Sequence, residues 1–193
     1  TVSAGLLVHS ERGWVVFPLD AVGERDSEVE VLVAGGAKYR SKWRMLSEPH
    51  NLALVCLADD GAYKPPFPEN RFEACSECDA DVGSIVGLLQ NESSWLAGAV
   101  TGRVHCDESS LSPGLLASVS FHQKRMKTRV SLRRTGFADA ITVDLPIAPT
   151  ECGAGVVSLR GAFIGIAVAR TDVQETVVIP ANIITELMKT IES

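Results

Sequence analysis

Short apolar stretches recur along the chain at intervals of roughly ten residues, and in several of them apolar and polar positions alternate. Gly, Pro, Asp and Ser separate the stretches, which is typical of β-strands joined by turns. The first set is AGLLVH, GWVVFP, EVEVLVAG, YRSKWRML and NLALVCLA. The second set runs from SIVGLLQ and WLAGAVTGRVH through GLLASVSF, TRVSLR, AITVDL, GVVSL and AFIGIAVA to ETVVIP. The pattern predicts an all-β chain built as a sandwich or a barrel.

Two segments depart from this pattern. YKPPFPENRFEACSECDADVG lies between the two sets, and its prolines exclude it from central strands, so we interpret it as a connector. The chain closes with PANIITELMKTIES, which predicts a helix with Pro180 in its first turn. One face of that helix is apolar and consists of Ile183, Ile184, Leu187 and Ile191.

Composition limits the function classes. The chain has 193 residues, of which 46% are hydrophobic, enough for one large core or two small ones. Its formal net charge of −6 argues against a general nucleic-acid binder. No apolar run approaches the ~20 residues that a membrane helix needs. No signal peptide is visible, and because the chain opens directly on a strand-like stretch we expect an excised domain.

The cysteines give a weak signal. Cys75 and Cys78 form a C-x-x-C, but no second such pair completes a zinc site, so a local disulfide or two free thiols is favoured. The total is odd, which leaves the redox compartment open; the other three are Cys56, Cys106 and Cys152. We expect no metal and no other cofactor.

Three stretches carry a resemblance that extends over nearly the whole chain. TVDLPIAPTECGAGVVSLRGAFIGIAVARTDVQETVVIPANIITEL follows the order of T-D-A-x-I-N-P-G-N-S-G-G-P-L, a hairpin ending V-I-G-I, and a strand leading to I-P and a helix. AGLLVHSERGWVVFPLDAV resembles G-S-G-x-I-I followed by G-Y-I-x-T-N-x-H-V-V, and EPHNLALVCL resembles D-L-A-V-L-K. These motifs are those of the protease domain of HtrA (Deg) proteases, a branch of the trypsin-like serine proteases.

The resemblance implies one trypsin-like unit made of two six-stranded antiparallel β-barrels and a C-terminal α-helix. We place the first barrel at residues 1–63, the connector at 64–79, the second barrel at 80–179 and the helix at 180–193. It also implies where the catalytic positions fall: Cys152 in the nucleophile's serine position, Asp20 in the histidine position and Asn51 in the aspartate position.

These residues do not form a working triad by ordinary chemistry. The base must accept the nucleophile's proton near neutral pH and return it to the leaving group. A carboxylate with an ordinary pKa of about 4, such as Asp20, is a poor base for this, and its charge disfavours the thiolate of Cys152. Asn51 could orient an imidazole, but position 20 offers none. We therefore predict that Cys152, Asp20 and Asn51 do not function as a triad.

The oxyanion region, Thr150, Glu151 and Gly153, is also altered. The family has glycine two residues before the nucleophile, where this chain has Thr150, and a β-branched residue resists the unusual φ values that glycine accepts. Loss of one oxyanion donor typically slows an enzyme about 10²–10³-fold, and loss of a triad member on the order of 10⁴-fold or more. The departures together favour a degenerate protease domain.

The favoured function is therefore a catalytically inactive protease homologue that binds or scaffolds a protein or peptide. The alternative is an active endopeptidase with Cys152 as nucleophile, for which His50, beside Asn51, is the candidate base. A third possibility is a redox or regulatory thiol at Cys152. The resemblance further implies a PDZ domain in the full-length protein and an extracytoplasmic location, while we expect this chain to be monomeric.

Three further groups receive structural interpretations. The basic segment from Lys124 to Arg134 is interpreted as a solvated hairpin in preference to a surface for an acidic partner. The tryptophans Trp14, Trp43 and Trp95 are predicted to lie in the core. The remaining histidines, predicted at strand ends or turns, are His9, His105 and His122.

Overall fold

A computed structural model describes residues 3–21, 28–33, 36–65, 80–91, 94–105, 136–171 and 174–192. The strands of the first half are β1 Leu6–His9, β2 Trp14–Pro18, β3 Val29–Leu32, β4 Lys38–Ser41, β5 Trp43–Ser47 and β6 Leu52–Cys56. Those of the second half are β7 Ile85–Asn91, β8 Ser94–His105, β9 Asp139–Val143, β10 Gly155–Ser158, β11 Phe163–Arg170 and β12 Thr176–Pro180. One helix, α1, spans Ala181–Glu192, and 3-10 turns span Leu19–Ala21, Leu57–Asp60 and Pro149–Glu151.

The second half forms a closed antiparallel barrel in the order β10-β11-β12-β9-β8-β7. Its interior is filled by side chains that alternate with outward positions along each strand, as the period of a β-strand requires. Val86, Leu88, Val143 and Val156 are completely buried there. The prediction of a six-stranded barrel is confirmed for this half of the chain.

The first half has its strands in two sheets. β1, β2, β6 and β5 form a four-stranded sheet in the order β1-β2-β6-β5, and β3 pairs with β4 in a separate hairpin. Both sheets contribute to one core, with Val15, Phe17 and Val55 from the first and Tyr39 from the second. The five predicted stretches give six strands, because YRSKWRML contributes to both β4 and β5, but among the described residues these strands do not close into a second barrel.

Helix α1 covers the junction between the two halves. It packs on β11 and β12, and Ile184 on its inner face is 2% exposed. The core beneath it combines residues of both halves, including Val16 and Leu54 of the first sheet with Ile166 and Ile179 of the barrel. The helix prediction is confirmed, with the difference that Pro180 ends β12 and the helix begins at Ala181.

The tryptophan prediction is right at one position and wrong at another. Trp14 is 5% exposed and belongs to the core. Trp95 is 57% exposed, because the pairing of β7 with β8 places it on the outside of the barrel opposite Leu89. Its ring covers Gly87, where a Cβ would lie 3.1 Å from the ring.

Several predictions concern residues that the structure does not describe or describes in part. His9 and His105 are the last residues of β1 and β8, as predicted. The side chain of Trp43, the segment 124–134 and most of the connector lie outside the described residues. So do Cys75, Cys78, Cys106 and His122.

Tyr63 stabilises the turn between β1 and β2. Its hydroxyl donates a hydrogen bond of 2.5 Å to Ser10 O, and its ring meets Tyr39 edge-on. It also covers Gly13, where a Cβ would lie 2.9 Å from the Tyr63 ring. Burial raises the pKa of Tyr63 above its ordinary value.

Tyr63→Phe is expected to lower the free energy of unfolding by about 1 kcal/mol, because it removes the hydrogen bond and keeps the ring. The pKa of Tyr63 is higher in the folded state than in the unfolded state. The neutral hydroxyl therefore adds to the free energy of unfolding below the unfolded-state pKa of about 10, and this stabilisation is lost as the pH rises through the folded-state pKa. In urea unfolding, the difference in the free energy of unfolding between parent and variant should therefore become smaller above about pH 10. A difference that does not change with pH would contradict this.

Candidate functional site

Asp20 lies where the first sheet ends against the second half of the molecule. It occupies the 3-10 turn Leu19–Ala21 that directly follows β2, and it is half-buried. The amide of Leu19 donates to Asn51 O at 2.9 Å, so the turn is held against the start of β6. The 3-10 turn after Pro18 thus places the Asp20 carboxylate beside Asn51.

Asn51 joins three segments that are distant in sequence. Its side chain is 1% exposed, and its backbone has φ +53°, a left-handed conformation that asparagine accepts more readily than most residues. Nδ2 donates to Asp20 Oδ2 at 3.3 Å and makes a longer contact of 3.5 Å to Val168 O in β11. Asp20 and Asn51, which were predicted to share one site, are therefore in contact.

The region predicted to hold the oxyanion is a compact turn. Pro149–Glu151 form a 3-10 turn in which the Glu151 amide donates to Ala148 O at 2.9 Å. The Glu151 carboxylate accepts a hydrogen bond from the Ala148 amide and so caps the turn at its start. Thr150 has no positive φ, since Asn51 is the one non-glycine residue with positive φ in the described ranges. This agrees with the steric preference of a β-branched residue.

Gly153 fixes this turn to the rest of the molecule. Its φ is +106°, and a Cβ on it would lie 1.8 Å from Ala4 O and 3.1 Å from Pro18 Cδ. Its amide donates to Ala167 O at 2.6 Å. On the other side of the turn, the Ala4 amide donates to Thr150 O at 3.0 Å. Only glycine fits here, because both the backbone conformation and the space exclude a side chain.

The Asp20–Asn51 pair and the turn that precedes β10 both contact β11. Ala167 O accepts from Gly153, and the next carbonyl along the strand, Val168 O, is contacted by Asn51. The strand has an irregular register at this point, between Ala167 and Ala169. Neighbouring carbonyls of one strand therefore hold both the turn that precedes β10 and the Asp20–Asn51 pair.

Cys152 is a buried thiol at the end of the 3-10 turn. It is 5% exposed, has φ −57° and ψ 128°, and belongs to the core of the closed barrel. It forms no disulfide with Cys56, the other cysteine of the described segments. Buried structural cysteines are typically inert, whereas reactive cysteines are partially exposed.

His50 makes a hydrogen bond within its own half of the molecule. Nδ1 lies 2.8 Å from Ser47 Oγ, in the turn that joins β5 to β6, and Ser47 is itself buried. This bond directs one ring nitrogen toward the end of β5. The role of His50 as a base for Cys152 stays a prediction.

Sequence reasoning missed the backbone partners of the site. Ala4 packs against Gly153 through its carbonyl, and Val168 meets Asn51 through its carbonyl. A backbone carbonyl is present at every residue, so no residue type marks these positions. Among the described residues, no group of three or more His, Cys, Asp or Glu side chains is arranged to hold a metal ion. Within the same ranges, no helix has the length and apolar character that crossing a membrane requires.

Comparison with known proteins supports the fold. No family model matches the chain, and no curated protein matches it. Among solved structures, the chain is similar to the protease domain of MamO from Magnetospirillum magneticum in its apo form. The two are 18% identical, the match covers 96% of this chain and 87% of that one, and the TM-score is 0.59. The chain thus has a trypsin-like protease fold, with one closed six-stranded barrel and a C-terminal helix.

Proposed function

We propose that the chain is a catalytically inactive, HtrA-type protease homologue that binds or scaffolds a protein or peptide. The observation that carries the proposal is the hydrogen bond from Asn51 Nδ2 to Asp20 Oδ2. In the resemblance these two residues occupy the positions of the catalytic base and of the group that orients it. Here they form a carboxylate–amide pair that joins the 3-10 turn after β2 to the residue before β6.

This pair is unsuited to moving a proton for hydrolysis. A general base works best when its pKa lies near the working pH, and an ordinary carboxylate lies about three units below neutrality. The Asn51 amide is a donor toward Asp20, so it neither accepts a proton from it nor replaces an imidazole. Asp20 and Asn51 therefore act in this proposal as structural residues.

The nucleophile and oxyanion positions support the same conclusion. Cys152 is 5% exposed in the barrel core, whereas a catalytic thiol must reach the substrate carbonyl. An oxyanion hole needs backbone amides aimed at the substrate oxygen. At Thr150 the chain instead follows a 3-10 turn that Glu151 closes on Ala148. The base, nucleophile and oxyanion positions thus all support the proposal of an inactive domain.

The proposed binding role is supported by what is retained. Two packed halves, a shared core under α1 and the Asn51 link to β11 preserve the trypsin-like fold. Assignment to the HtrA branch, a PDZ domain in the full-length protein, an extracytoplasmic location and a monomeric state belong to this proposal. So do the domain boundaries at 63, 79 and 179.

The test of inactivity compares the parent chain with Cys152→Ala on a panel of fluorogenic peptides. We expect no hydrolysis above that of Cys152→Ala. Alkylation of Cys152 by iodoacetamide, read by site-resolved mass spectrometry, should be slower than that of the less buried Cys56. Its rate should rise only near or above the ordinary thiol pKa of about 8.5.

The opposite results would replace this proposal with the endopeptidase. These are hydrolysis abolished by Cys152→Ala, together with fast alkylation of Cys152 below about pH 7. His50→Ala would then identify the base. The binding role has its own test, selection from a displayed random-peptide library. Ligands that bind the parent and Cys152→Ala equally support it, and a selection that yields no ligand argues against it.

A further inference from the structure

The turn that precedes β10 is a surface segment between two buried anchors. Ile147 is completely buried before it, and Gly153 is fixed after it by the hydrogen bond from its amide to β11. Between these anchors Ala148 and Thr150 are exposed. A rearrangement confined to residues 148–151 therefore leaves the barrel core intact, because the anchors on either side keep their places. This segment is called the 148–151 turn.

Cys152 is the first buried residue after this turn. It is 5% exposed and belongs to the barrel core together with Ala154 and Val156. One residue earlier the chain is half-buried, and two residues earlier it is exposed. The burial of the Cys152 thiol therefore depends on the path that the backbone takes through the 148–151 turn.

Glu151 closes the turn through three of its groups. Its amide donates to Ala148 O at 2.9 Å, and its carbonyl accepts from the Ala154 amide at 3.0 Å. Its carboxylate accepts from the Ala148 amide, so both backbone groups of Ala148 are bonded to one residue. A side chain that bonds back to the start of its own turn is the reciprocal half of a capping box. The backbone bonds are open to almost any residue type, whereas the carboxylate bond requires an acceptor side chain.

The far end of the turn is held independently of this carboxylate. The Ala4 amide donates to Thr150 O at 3.0 Å, and the Ala4 carbonyl lies against Gly153. Removal of the carboxylate thus releases the start of the turn at Ala148 and leaves its end attached. The expected consequence is a local opening of the turn with the fold retained.

We infer that the Glu151 carboxylate is a latch that holds the 148–151 turn closed and thereby keeps the Cys152 thiol buried. While the bond to the Ala148 amide is made, the thiol is shielded from reagents. When the bond is broken, the turn opens and the thiol becomes accessible. Glu151 is thus a positioning residue, which acts on Cys152 through the backbone that joins them. The inference rests on the proposed function, in which the closed turn is the resting form of the site.

The test measures alkylation of Cys152 by iodoacetamide at about pH 8, read by site-resolved mass spectrometry on the folded chain. Loss of a capping side chain typically shifts such an equilibrium about fivefold, so Glu151→Ala should raise the Cys152 alkylation rate by about that factor. Glu151→Gln keeps an acceptor oxygen but loses the charge that strengthens the bond. Its rate should therefore lie between those of the parent and Glu151→Ala. Cys56, in the other half, is the internal reference, and its rate should stay unchanged.

Two further variants separate the latch from a general loosening of the domain. Glu175→Ala removes another carboxylate that accepts a hydrogen bond within a turn, from Thr171 Oγ1 at 2.7 Å, and should leave the Cys152 rate unchanged. Ala148→Pro removes the amide donor of the latch, and proline suits the φ of −78° at this position. It should raise the Cys152 rate as Glu151→Ala does. The double variant should show no further rise, since both changes remove the same bond.

Several results would overturn the inference. These are an unchanged Cys152 rate in Glu151→Ala, a rate in Glu151→Gln equal to that of Glu151→Ala, or effects that multiply in the double variant. An equal rise at Cys56 would mean that the whole domain had loosened, which also contradicts a local latch. If Glu151→Ala fails to fold, Ala148→Pro and Glu151→Gln still test the bond.

The fluorogenic peptide panel separates the latch from the proposed function. Hydrolysis by Glu151→Ala together with a raised Cys152 rate would keep the latch and overturn the proposed inactivity. An unchanged Cys152 rate without hydrolysis would overturn the latch and leave the proposed inactivity standing. We expect a raised rate without hydrolysis, because opening the turn supplies no base at Asp20.

Discussion

Gly153→Ala is expected to lower the free energy of unfolding by about 3–5 kcal/mol, or to prevent folding. The new Cβ would lie 1.8 Å from Ala4 O and 2.5 Å from Ala4 C, and the residue would keep φ at +106°. The obstacle is backbone, and it is also tied to Thr150 O by a hydrogen bond, so it cannot move aside without breaking that bond. Urea unfolding, with the midpoint and slope fitted separately, measures the loss.

Gly161→Ala is the matched control. Gly161 also has a positive φ, +81°, but a Cβ there meets no atom within 4 Å, so only conformational strain of about 1–2 kcal/mol is expected. A chain that begins at Gly5 should make Gly153→Ala less costly, because Ala4 is then removed. Equal losses for the two variants would mean that the contact between Ala4 and Gly153 carries no energy.

The strands could be predicted from the sequence because alternation and turn residues mark them directly. NLALVCLA gives β6, Leu52–Cys56, and AFIGIAVA gives most of β11, Phe163–Arg170. The division of the first half into two sheets could not be predicted. It depends on which strand edges meet, as in the pairing of Val29 with Ser41, and no single strand encodes its neighbour.

Which side of a strand faces the core was harder to predict where both sides are apolar. In β7, Ile85 points outward and Val86 inward, and the sequence SIVGLLQ gives no sign of this. The strand-like stretch WLAGAVTGRVH predicts a core position for Trp95, but it does not show which side of the strand Trp95 takes. Its exposure follows from its pairing with Leu89.

The proximity of Asp20 and Asn51 was expected from the family resemblance. Periodicity alone carries no information about a contact between residues 31 positions apart. Thr150 was expected to avoid a glycine-like φ, and the 3-10 turn agrees with that. The atoms that hold the site are backbone carbonyls of Ala4, Ala167 and Val168, and these were not predictable because every residue has one.

Asn51→Asp tests the hydrogen bond between residue 51 and Asp20. The change replaces the Nδ2 donor, 3.3 Å from Asp20 Oδ2, by an acceptor, and two carboxylates then face each other. We expect a loss of about 2–4 kcal/mol at pH 7, from repulsion and from the lost hydrogen bond. Like charges at this distance raise the apparent pKa of the pair in the folded state.

The pH dependence has a definite sign. The folded Asn51→Asp variant binds a proton more readily than the unfolded chain, so its stability relative to the parent recovers as the pH falls from 7 toward about 4. Asn51→Ala is the control, since it removes the same donor without adding a charge, and its loss of stability should change much less between the two pH values. A pH-independent loss in Asn51→Asp would contradict the contact.

Combining Asn51→Asp with Asp20→His should restore stability, because an imidazole can donate to the new carboxylate. We expect the double variant to be more stable than the sum of the two single changes by at least about 1 kcal/mol, as for residues in direct contact. If the stability losses of the two single variants simply add in the double variant, the two side chains are not in contact. The same double variant should still fail to hydrolyse peptides, because the 3-10 turn at Thr150 and the burial of Cys152 are unchanged by it. Hydrolysis on restoring the pair would mean that the turn retains a competent oxyanion site and that Asp20 and Asn51 alone account for the inactivity proposed above.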